Sequence, residues 1–256
     1  MKPSLKNKLR KKSITIGSWI TLAHPAIAEI MAKAGFDWLV VDLEHSVITI
    51  SEAEELIRVI ELCGIVPLVR LSANDSTLIK RVMDAGAHGV IVPMVNTGAD
   101  AIKAVNAVKY PPVGTRGVGL ARAQGYGLEF ERYKEWVDKE SIVVVQIEHI
   151  EAVDNLEEIL SVDGVDGFII GPYDLSGSLG IPGEFEHPGV IDALKRIRAI
   201  SEKMNVASGF HVIPPEYKDV LKKIREGYSF IAFSLDTLFL GNSCKESMMK
   251  IKSVTD

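Results

Sequence analysis

Eight short, β-branched runs recur along the chain, and longer segments with helical periodicity separate them. The runs cover residues 14–20, 37–43, 65–71, 89–95, 142–148, 166–171, 206–210 and 229–235. Helical segments include 24–35, 51–64, 76–87 and 214–227. Strands that are apolar almost throughout and alternate with helices indicate a parallel sheet covered on both faces. Eight such units in 256 residues predict one α/β domain, a single (β/α)8 TIM barrel spanning 1–256.

Two alternatives to this interpretation have sequence support. A doubly wound open sheet is built from the same units, but no G-x-G-x-x-G follows an early strand. The basic residues of 6–12, the apolar residues of 14–23 and the small residues of 24–28 resemble a secretory signal. The apolar part is short and β-branched, however, and its cleavage would remove the first strand. We therefore expect a barrel strand there.

The composition limits the kinds of partner that the protein is expected to have. The net charge is −5, and the lysines and arginines are scattered among 34 carboxylates, so nucleic acid is not an expected partner. No run approaches the roughly 20 apolar residues of a membrane span. Cys63 and Cys244 have no spacing typical of a zinc site or a disulfide framework. These features predict a cytoplasmic protein that acts on a small molecule.

Ionisable and amide side chains lie at or near the carboxyl ends of the strand candidates. They are Asp42, Glu44, His45, Arg70, Gln146, Glu148, His149, Asp174, His211 and Asp236. In a (β/α)8 barrel these ends meet on one rim, where the loops carry the chemistry. A single carboxylate in such a position usually caps the following helix. The coincidence of so many on one rim predicts a functional site.

Two carboxylates on neighbouring strands fit a metal site. Glu148 and Asp174 each follow an apolar run, so we expect them to converge on a hard divalent cation. Two carboxylates leave most of an octahedral shell to water and a chelating substrate, which suits Mg²⁺ or Mn²⁺. Co²⁺ is a further candidate because it accepts oxygen ligands in similar geometry. The cation would act as Lewis acid and template.

The remaining rim residues fit enolate chemistry. His45 lies close to Asp42 in sequence, and a carboxylate that fixes an imidazole tautomer suits a general base. Arg70 comes from a strand interior, where a guanidinium needs an anionic or carbonyl partner such as a substrate oxygen. These groups predict a site that polarises a 2-oxo acid and holds its enolate. No strand candidate contains a lysine, so Schiff-base catalysis is not expected.

Several blocks of the sequence resemble one enzyme family. They are DLEHS, PLVR, GVIVPMVNT, YPPVGTRGVG, QIEHIEAVDNLEEIL and GPYDLSGSLG, in family order over most of the chain. Together they resemble the HpcH/HpaI family of class II (metal-dependent) pyruvate aldolases, which includes heptanedioate and sugar-acid aldolases. The resemblance implies a barrel and cleavage of a 4-hydroxy-2-oxo acid to pyruvate and an aldehyde. It also implies a homo-oligomer, a trimer or hexamer, in which the last helix packs on a neighbouring subunit.

The resemblance assigns roles to particular positions. It matches Glu148 and Asp174 to the metal ligands, His45 with Asp42 to the base, and Arg70 to the residue that contacts the keto oxygen. The pyruvate-binding positions that it implies are Gln146 and the backbone around Tyr173 and Asp174. Asp84 matches an acidic residue that reaches a neighbour's site, although in sequence it is an ordinary helix residue.

The chain departs from the better-known members in the loop at 117–130. This loop is shorter before residues 121–123, and His149 stands where a small polar residue is expected. Because the loop helps to form the aldehyde end of the pocket in such enzymes, the identity of the aldehyde stays open. Arg116 and Arg122 have two interpretations, recognition of an acidic aldehyde or anchoring of the loop.

Two other functions remain open from the sequence. The same barrel and metal serve lyases that cleave malyl-CoA or citramalyl-CoA, but a nucleotide needs cationic contacts and no clear basic cluster is present. A barrel without turnover that serves as a binding subunit is the third possibility. The intact set of rim residues argues against it.

Overall fold

The computed structural model describes residues 4–255, so the predicted domain limits at 1 and 256 lie outside the described range. Eight parallel strands pair in chain order within it, and the last pairs with the first. The strands are β1 (Thr15–Ile20), β2 (Trp38–Asp42), β3 (Val66–Arg70), β4 (Gly89–Val92), β5 (Ile142–Ile147), β6 (Gly167–Ile170), β7 (Ala207–Val212) and β8 (Phe230–Leu235). The predicted barrel is confirmed, and its closure excludes the open doubly wound sheet.

Helices precede the barrel, connect its strands and follow it. They are α1 (Leu5–Arg10), α2 (Pro25–Lys33), α3 (Ile50–Leu62), α4 (Ser76–Asp84), α5 (Gly98–Val108), α6 (Phe130–Glu140), α7 (Ile150–Asp154), α8 (Leu156–Leu160), α9 (Pro172–Ser178), α10 (Pro188–Met204), α11 (Tyr217–Arg225) and α12 (Asp236–Thr255). A 3₁₀ segment at Arg122–Gly127 precedes α6. Over residues 4–255, no helix combines the length and apolarity needed to cross a membrane.

Alternate strand residues point into the barrel, where an apolar cluster fills the lower layers. β2 contributes Trp38 and Val40 to this inner cluster, and β3 contributes Leu68. Residues of the opposite parity pack outward against the helices in a larger cluster. Since inward positions recur every second residue, the next inward residues are Asp42 and Arg70, at the carboxyl ends of their strands.

The amino-terminal segment belongs to the barrel. At Gly17 on β1, a Cβ atom would lie 2.0 Å from the ring of Trp38, so no other residue fits there without displacing the ring. Trp38 in turn stacks on Phe230 across the barrel, with ring centroids 4.2 Å apart. The apolar run that resembles a secretory signal is thus a packed barrel strand in this fold.

α1 closes the amino-terminal end of the barrel. Leu5 and Leu9 join the inner cluster. Lys6 is 3% exposed, and its Nζ donates to the Ser141 carbonyl at 2.6 Å and lies 2.9 Å from an Asp166 oxygen. This end of the barrel is therefore sealed by apolar contact and a buried ion pair, which leaves the carboxyl-terminal rim for a ligand.

Asp236 fastens the start of α12 to the end of β1. Its buried carboxylate accepts hydrogen bonds from the backbone N–H groups of Thr21 and Leu22, each at 2.8 Å. Asp236 therefore has a structural role at the rim. Most of α12 beyond this point is exposed. The exposed large apolar side chains of α12 are Leu240, Met248, Met249, Ile251 and Val254.

Candidate active site

A bidentate ion pair stands at the carboxyl ends of β2 and β3. Arg70 donates from Nε to Oδ1 of Asp42 at 2.9 Å and from Nη2 to Oδ2 at 2.6 Å. Burial by itself raises the pKa of Asp42, but the hydrogen bonds and charge of Arg70 outweigh it and hold that pKa below its usual range. The fork fixes the plane of the guanidinium. Arg70 is therefore oriented by its own chain.

The predicted pairing of the Asp42 carboxylate with the His45 imidazole is not formed. From His45, Asp42 accepts a hydrogen bond from the backbone N–H, at 3.3 Å, and none from the imidazole. The reason is that its oxygens face the Arg70 guanidinium, a charged and stronger donor. The carboxylate that approaches the imidazole is Glu44, with Oε2 3.9 Å from Nε2 of His45. The His45 side chain is 66% exposed and borders the rim cavity, so it is accessible to a substrate.

Glu44 is a site residue to which the sequence gave no role. Its Oε2 lies 3.3 Å from Nη1 of Arg70 and is buried without a hydrogen bond within the described residues. Burial raises the pKa of Glu44 to about 7, against the opposing charge of Arg70. Three neighbouring carboxylates add to that rise: Glu148, Asp42 and Asp174. The rim therefore carries more negative charge than Arg70 neutralises. The sequence signal for Glu44 is that it lies two residues after Asp42, so its side chain is expected on the same inward side of the chain.

Glu148 is held through both of its oxygens. The backbone N–H of Met94 donates to Oε1 at 2.7 Å, and the side-chain amide of Gln146 donates to Oε2. Met94 has a φ of 51°, a left-handed conformation that is uncommon for a residue other than glycine and is often found at functional sites. Glu148 is 3% exposed, and burial raises its pKa, with a further contribution from the charge of Asp174.

Asp174 lies in the first turn of α9, just after β6, and is exposed. Gly171 connects β6 to this helix, and a Cβ atom there would come within 3.0 Å of Oε2 of Glu148. A side chain at this position would therefore displace the Glu148 side chain by a few tenths of an ångström. As predicted from the strand order, Glu148 and Asp174 come from neighbouring strand ends.

The donor set fits a hard divalent cation. Glu148 and Asp174 repel each other, and the charge of both raises the pKa of Glu44, so a cation between them would relieve unfavourable electrostatics. The part of the chain that the structure describes contains no group of three or more His, Cys, Asp or Glu side chains arranged to hold a metal. Two carboxylates with the other positions left to water and substrate is an arrangement that Mg²⁺ commonly adopts.

A cavity of about 430 Å³ opens on the rim beside these residues. It is lined by Trp19, His45, Arg70, Gln146, Ile169, Ile170, Gly171, Pro172, Tyr173, Asp174, His211, Ile213 and Leu235. The predicted substrate-binding residues Gln146, Tyr173, Asp174 and Arg70 therefore border one space. Tyr173 is half exposed and meets the ring of Phe185 edge-on at 4.8 Å.

Trp19 and His211 form the wall of this cavity on β1 and β7. The Cζ atom of Arg70 lies 4.3 Å from the centroid of the Trp19 ring, and the His211 ring is tilted against Trp19 at 5.3 Å. The sequence placed His211 on the rim without a role and missed Trp19, which reads as an ordinary apolar strand residue. The sequence signal for Trp19 is its position near the end of β1, among the alternate residues that point into the barrel.

Asp84 lies away from the rim of its own barrel. It is the last residue of α4, which descends from the rim, so it sits toward the amino-terminal end of the strands. Its carboxylate lies 2.5 Å from Nη2 of Arg116, which also donates to the Tyr133 hydroxyl at 3.2 Å. Within one chain, the catalytic assignment of Asp84 gains no support from geometry.

Arg116, just before the 117–130 loop, and Arg122, within it, anchor the loop. Arg116 is buried, and Arg122 donates to the Ala85 carbonyl at 3.0 Å and pairs with Glu61. Of the two interpretations of these arginines, the contacts favour loop anchoring. His149 caps α7 through its ring nitrogen, which accepts the Glu151 N–H at 3.2 Å.

The fold and the rim define a barrel enzyme whose site combines a fixed guanidinium with paired carboxylates. Residues 15–242 match the family model described as HpcH/HpaI aldolase/citrate lyase, and the chain belongs to this family. It is 37% identical over 254 residues to 2-keto-3-deoxy-L-rhamnonate aldolase of Escherichia coli strain K12, covering 97% of this chain and 92% of that protein. The predicted pyruvate aldolase activity and aldehyde-lyase class are therefore confirmed.

Two solved structures agree with this assignment. A HpcH/HpaI aldolase/citrate lyase family protein from Burkholderia cenocepacia J2315 superposes with a TM-score of 0.92 at 32% identity, covering 97% of this chain and 98% of that one. A HpcH/HpaI aldolase from Desulfitobacterium hafniense DCB-2 gives a TM-score of 0.88 at 31% identity, with 97% and 96% covered. Class II aldolases of this family are generally dependent on a divalent metal.

Proposed function

We propose that the protein cleaves a 4-hydroxy-2-oxo acid into pyruvate and an aldehyde through a pyruvate enolate held at this rim. One observation carries the proposal. The Arg70 guanidinium, fixed by Asp42, and the Asp174 carboxylate border one small cavity. Glu148 lies directly behind its wall, bonded to the Gln146 side chain that also borders it. This arrangement suits a substrate that is both an anion and a chelating 2-oxo acid.

Arg70 donates a hydrogen bond to the keto oxygen. As negative charge develops on that oxygen, the guanidinium stabilises the enolate. A guanidinium has five N–H donors; Asp42 takes two and Glu44 lies 3.3 Å from Nη1, which leaves donors for the keto oxygen. Gln146 and the backbone around Tyr173 and Asp174 hold the rest of pyruvate. Donors that are already oriented stabilise developing charge without reorganisation.

Glu148 and Asp174 would hold the divalent cation, Mg²⁺ or Mn²⁺, with Co²⁺ as a further candidate. The bound cation supplies Lewis-acid polarisation of the 2-oxo group. Met94 and Gln146 keep the Glu148 carboxylate in place by donating to its two oxygens.

His45 is the proposed base for the C4 hydroxyl proton, since its imidazole is accessible at the cavity. The C3–C4 bond then breaks to release the aldehyde, and the enolate takes a proton at C3 from the protonated imidazole to give pyruvate. Glu44 takes over the supporting position that the sequence had assigned to Asp42, because Glu44 is the carboxylate near the imidazole. Asp42 instead fixes Arg70.

The E. coli relative gives the first substrate to test. Its name specifies 2-keto-3-deoxy-L-rhamnonate, and a 3-deoxy-2-oxo sugar acid of this kind is the substrate class that we propose. We further propose that residues 1–256 form a single domain, that the enzyme is cytoplasmic, and that it assembles as a trimer or hexamer. The exposed apolar side chains of α12 support assembly.

Exchange of the pyruvate methyl protons in D₂O, followed by proton NMR, tests enolate formation without any assumption about the aldehyde. We expect loss of the methyl signal with added Mg²⁺, none after chelation, and none in Glu148→Gln, which keeps the size of the side chain but loses its charge. Lys8→Met, distant from the rim, is the matched control. Exchange that persists in chelator would rule out the metal, and its absence in folded, metal-loaded protein would rule out pyruvate as the free nucleophile.

A further inference from the structure

His211 stands between two cavities. The cavity that holds the proposed active site adjoins a second one of about 650 Å³, which lies against α10 and α11. Both cavities are bordered by the same four residues, Pro172, Tyr173, His211 and Ile213. Of these four residues, only His211 has an imidazole, whose two ring nitrogens can donate one hydrogen bond and accept another.

The imidazole of His211 lacks a partner for one of its nitrogens. Its Nε2 is buried and forms no hydrogen bond within the described residues, although the residue as a whole is partly exposed. Burial, reinforced by the charge of Arg70, lowers the pKa of His211 to about 4, so the ring is neutral near pH 7. A buried polar group without a partner costs free energy, and such groups at native sites call for a ligand or a water.

The position of His211 separates it from the groups that bind pyruvate. Those groups come from β3, β5 and β6, whereas His211 comes from β7 and contacts Trp19 of β1. The same cavity is lined by Ile213 and Leu235, which are apolar, and by Tyr173, whose ring meets Phe185 edge-on. A substrate portion that extends from the pyruvate moiety toward β7 therefore meets His211 as a polar contact.

The charge of the wall discriminates between substituents. A neutral imidazole offers one donor and one acceptor, which matches a hydroxyl group. It doesn't neutralise a carboxylate. The guanidinium in the cavity belongs to Arg70, and Asp42 and Glu44 already lie against it. An aldehyde whose terminal carboxylate stays within the rim cavity would thus be poorly matched.

We propose that His211 determines specificity by forming a hydrogen bond with a hydroxyl group on the aldehyde portion of the substrate, selecting hydroxyaldehydes over unsubstituted aldehydes. The inference rests on the proposed function, since it presumes the pyruvate enolate as nucleophile. His211 does not touch the carbon–carbon bond that breaks, and enolate formation does not require it.

A matched pair of acceptors tests the inference. Glycolaldehyde and acetaldehyde have the same chain length and differ by one hydroxyl, so the ratio of their kcat/KM values for addition to pyruvate isolates that group. We expect His211→Leu to lower this ratio by about tenfold, the effect of one hydrogen bond, and His211→Asn to restore part of it. The acetaldehyde rate and pyruvate methyl exchange should stay within about twofold of wild type.

The outcomes separate the two proposals. An unchanged ratio, or equal loss on both acceptors, overturns the role of His211, because the second result places it at the oxygen common to both reactions. If His211→Leu loses exchange, the ratio is measured in His211→Met; loss of exchange there too would mean that the enolate itself needs His211 and would overturn the inference. Absence of exchange in wild type instead refutes the proposed function.

Discussion

Arg70 is fixed from three directions. Asp42 takes two of its N–H groups, Glu44 lies 3.3 Å from a third, and the Trp19 ring lies under the guanidinium at 4.3 Å. The interaction with Trp19 depends on a delocalised planar cation, and the fork to Asp42 depends on two parallel donors. These contacts keep the guanidinium in one place, which is what an oxyanion donor needs.

Arg70→Lys keeps the charge but loses the fork. We expect the rate of pyruvate methyl exchange to fall by roughly 10² because the ammonium is not held toward the keto oxygen. The comparison is made by NMR at saturating pyruvate, with circular dichroism as the check that the fold is kept. An exchange rate within twofold of wild type would remove Arg70 from the mechanism.

The protonation of His211 makes the stability of the folded protein depend on pH. Its pKa is lowered by burial from 6.5 to about 4, so between these values the unfolded chain binds a proton that the folded chain excludes. Stability is therefore lost as pH falls from 6.5 to 4. We expect His211→Leu to lose less stability over this window than wild type, by at most about 3 kcal/mol. Urea unfolding at pH 7 and pH 4.5 measures the difference, and equal losses in both proteins would contradict it.

At the scale of elements, α1 acts as a plug for the barrel. Two ion pairs connect it to the strands and differ in burial. The side chains of Lys6 and Asp166 are 4% and 6% exposed, whereas those of Lys8 and Asp37 are 26% and 32% exposed. Solvent weakens the Lys8–Asp37 pair. Loss of Lys6 would instead leave the Asp166 charge buried without a cation.

The pair therefore provides a matched test of the plug. Lys6→Met is expected to lower the free energy of unfolding by about 3–5 kcal/mol, because Asp166 is left buried without its cation. Lys8→Met is expected to cost less than about 1 kcal/mol. Both are measured by urea unfolding at pH 7. Similar losses in the two variants would show that α1 is not a plug held by Lys6.

At the scale of the whole molecule, α12 presents apolar side chains that its own barrel does not cover. Met248 and Ile251 are three residues apart, on one face, and are 49% and 53% exposed. Such a face on a long helix is typical of a contact between chains. It agrees with the proposed assembly.

Replacing Met248 and Ile251 with glutamate should shift the protein to a smaller species. Two charges on an apolar contact face would oppose association. Sedimentation velocity measures the change, and Lys250→Glu, which alters charge on another face of the same helix without removing an apolar group, is the control. A wild-type sedimentation coefficient in the double variant would show that this face is not the contact.

The sequence by itself determined the barrel and its rim. Apolar runs of strand length, separated by helical segments, leave few ways to bury both faces of a sheet, so all eight predicted strands are present. The period of two along each strand, together with the common rim of a parallel barrel, also predicted that Arg70, Gln146 and Asp174 border one cavity. These are local properties that hold before the chain folds.

Only the tertiary structure decided which rim residues pair. Asp42 and His45 are neighbours in sequence, yet barrel pairing sets Arg70 beside Asp42, and the stronger donor takes its carboxylate. Closure likewise brings Trp19 from β1 to His211 on β7. These contacts join residues far apart in the chain and depend on relative donor strength and on burial. Neither property can be read from spacing, because both arise when the barrel closes.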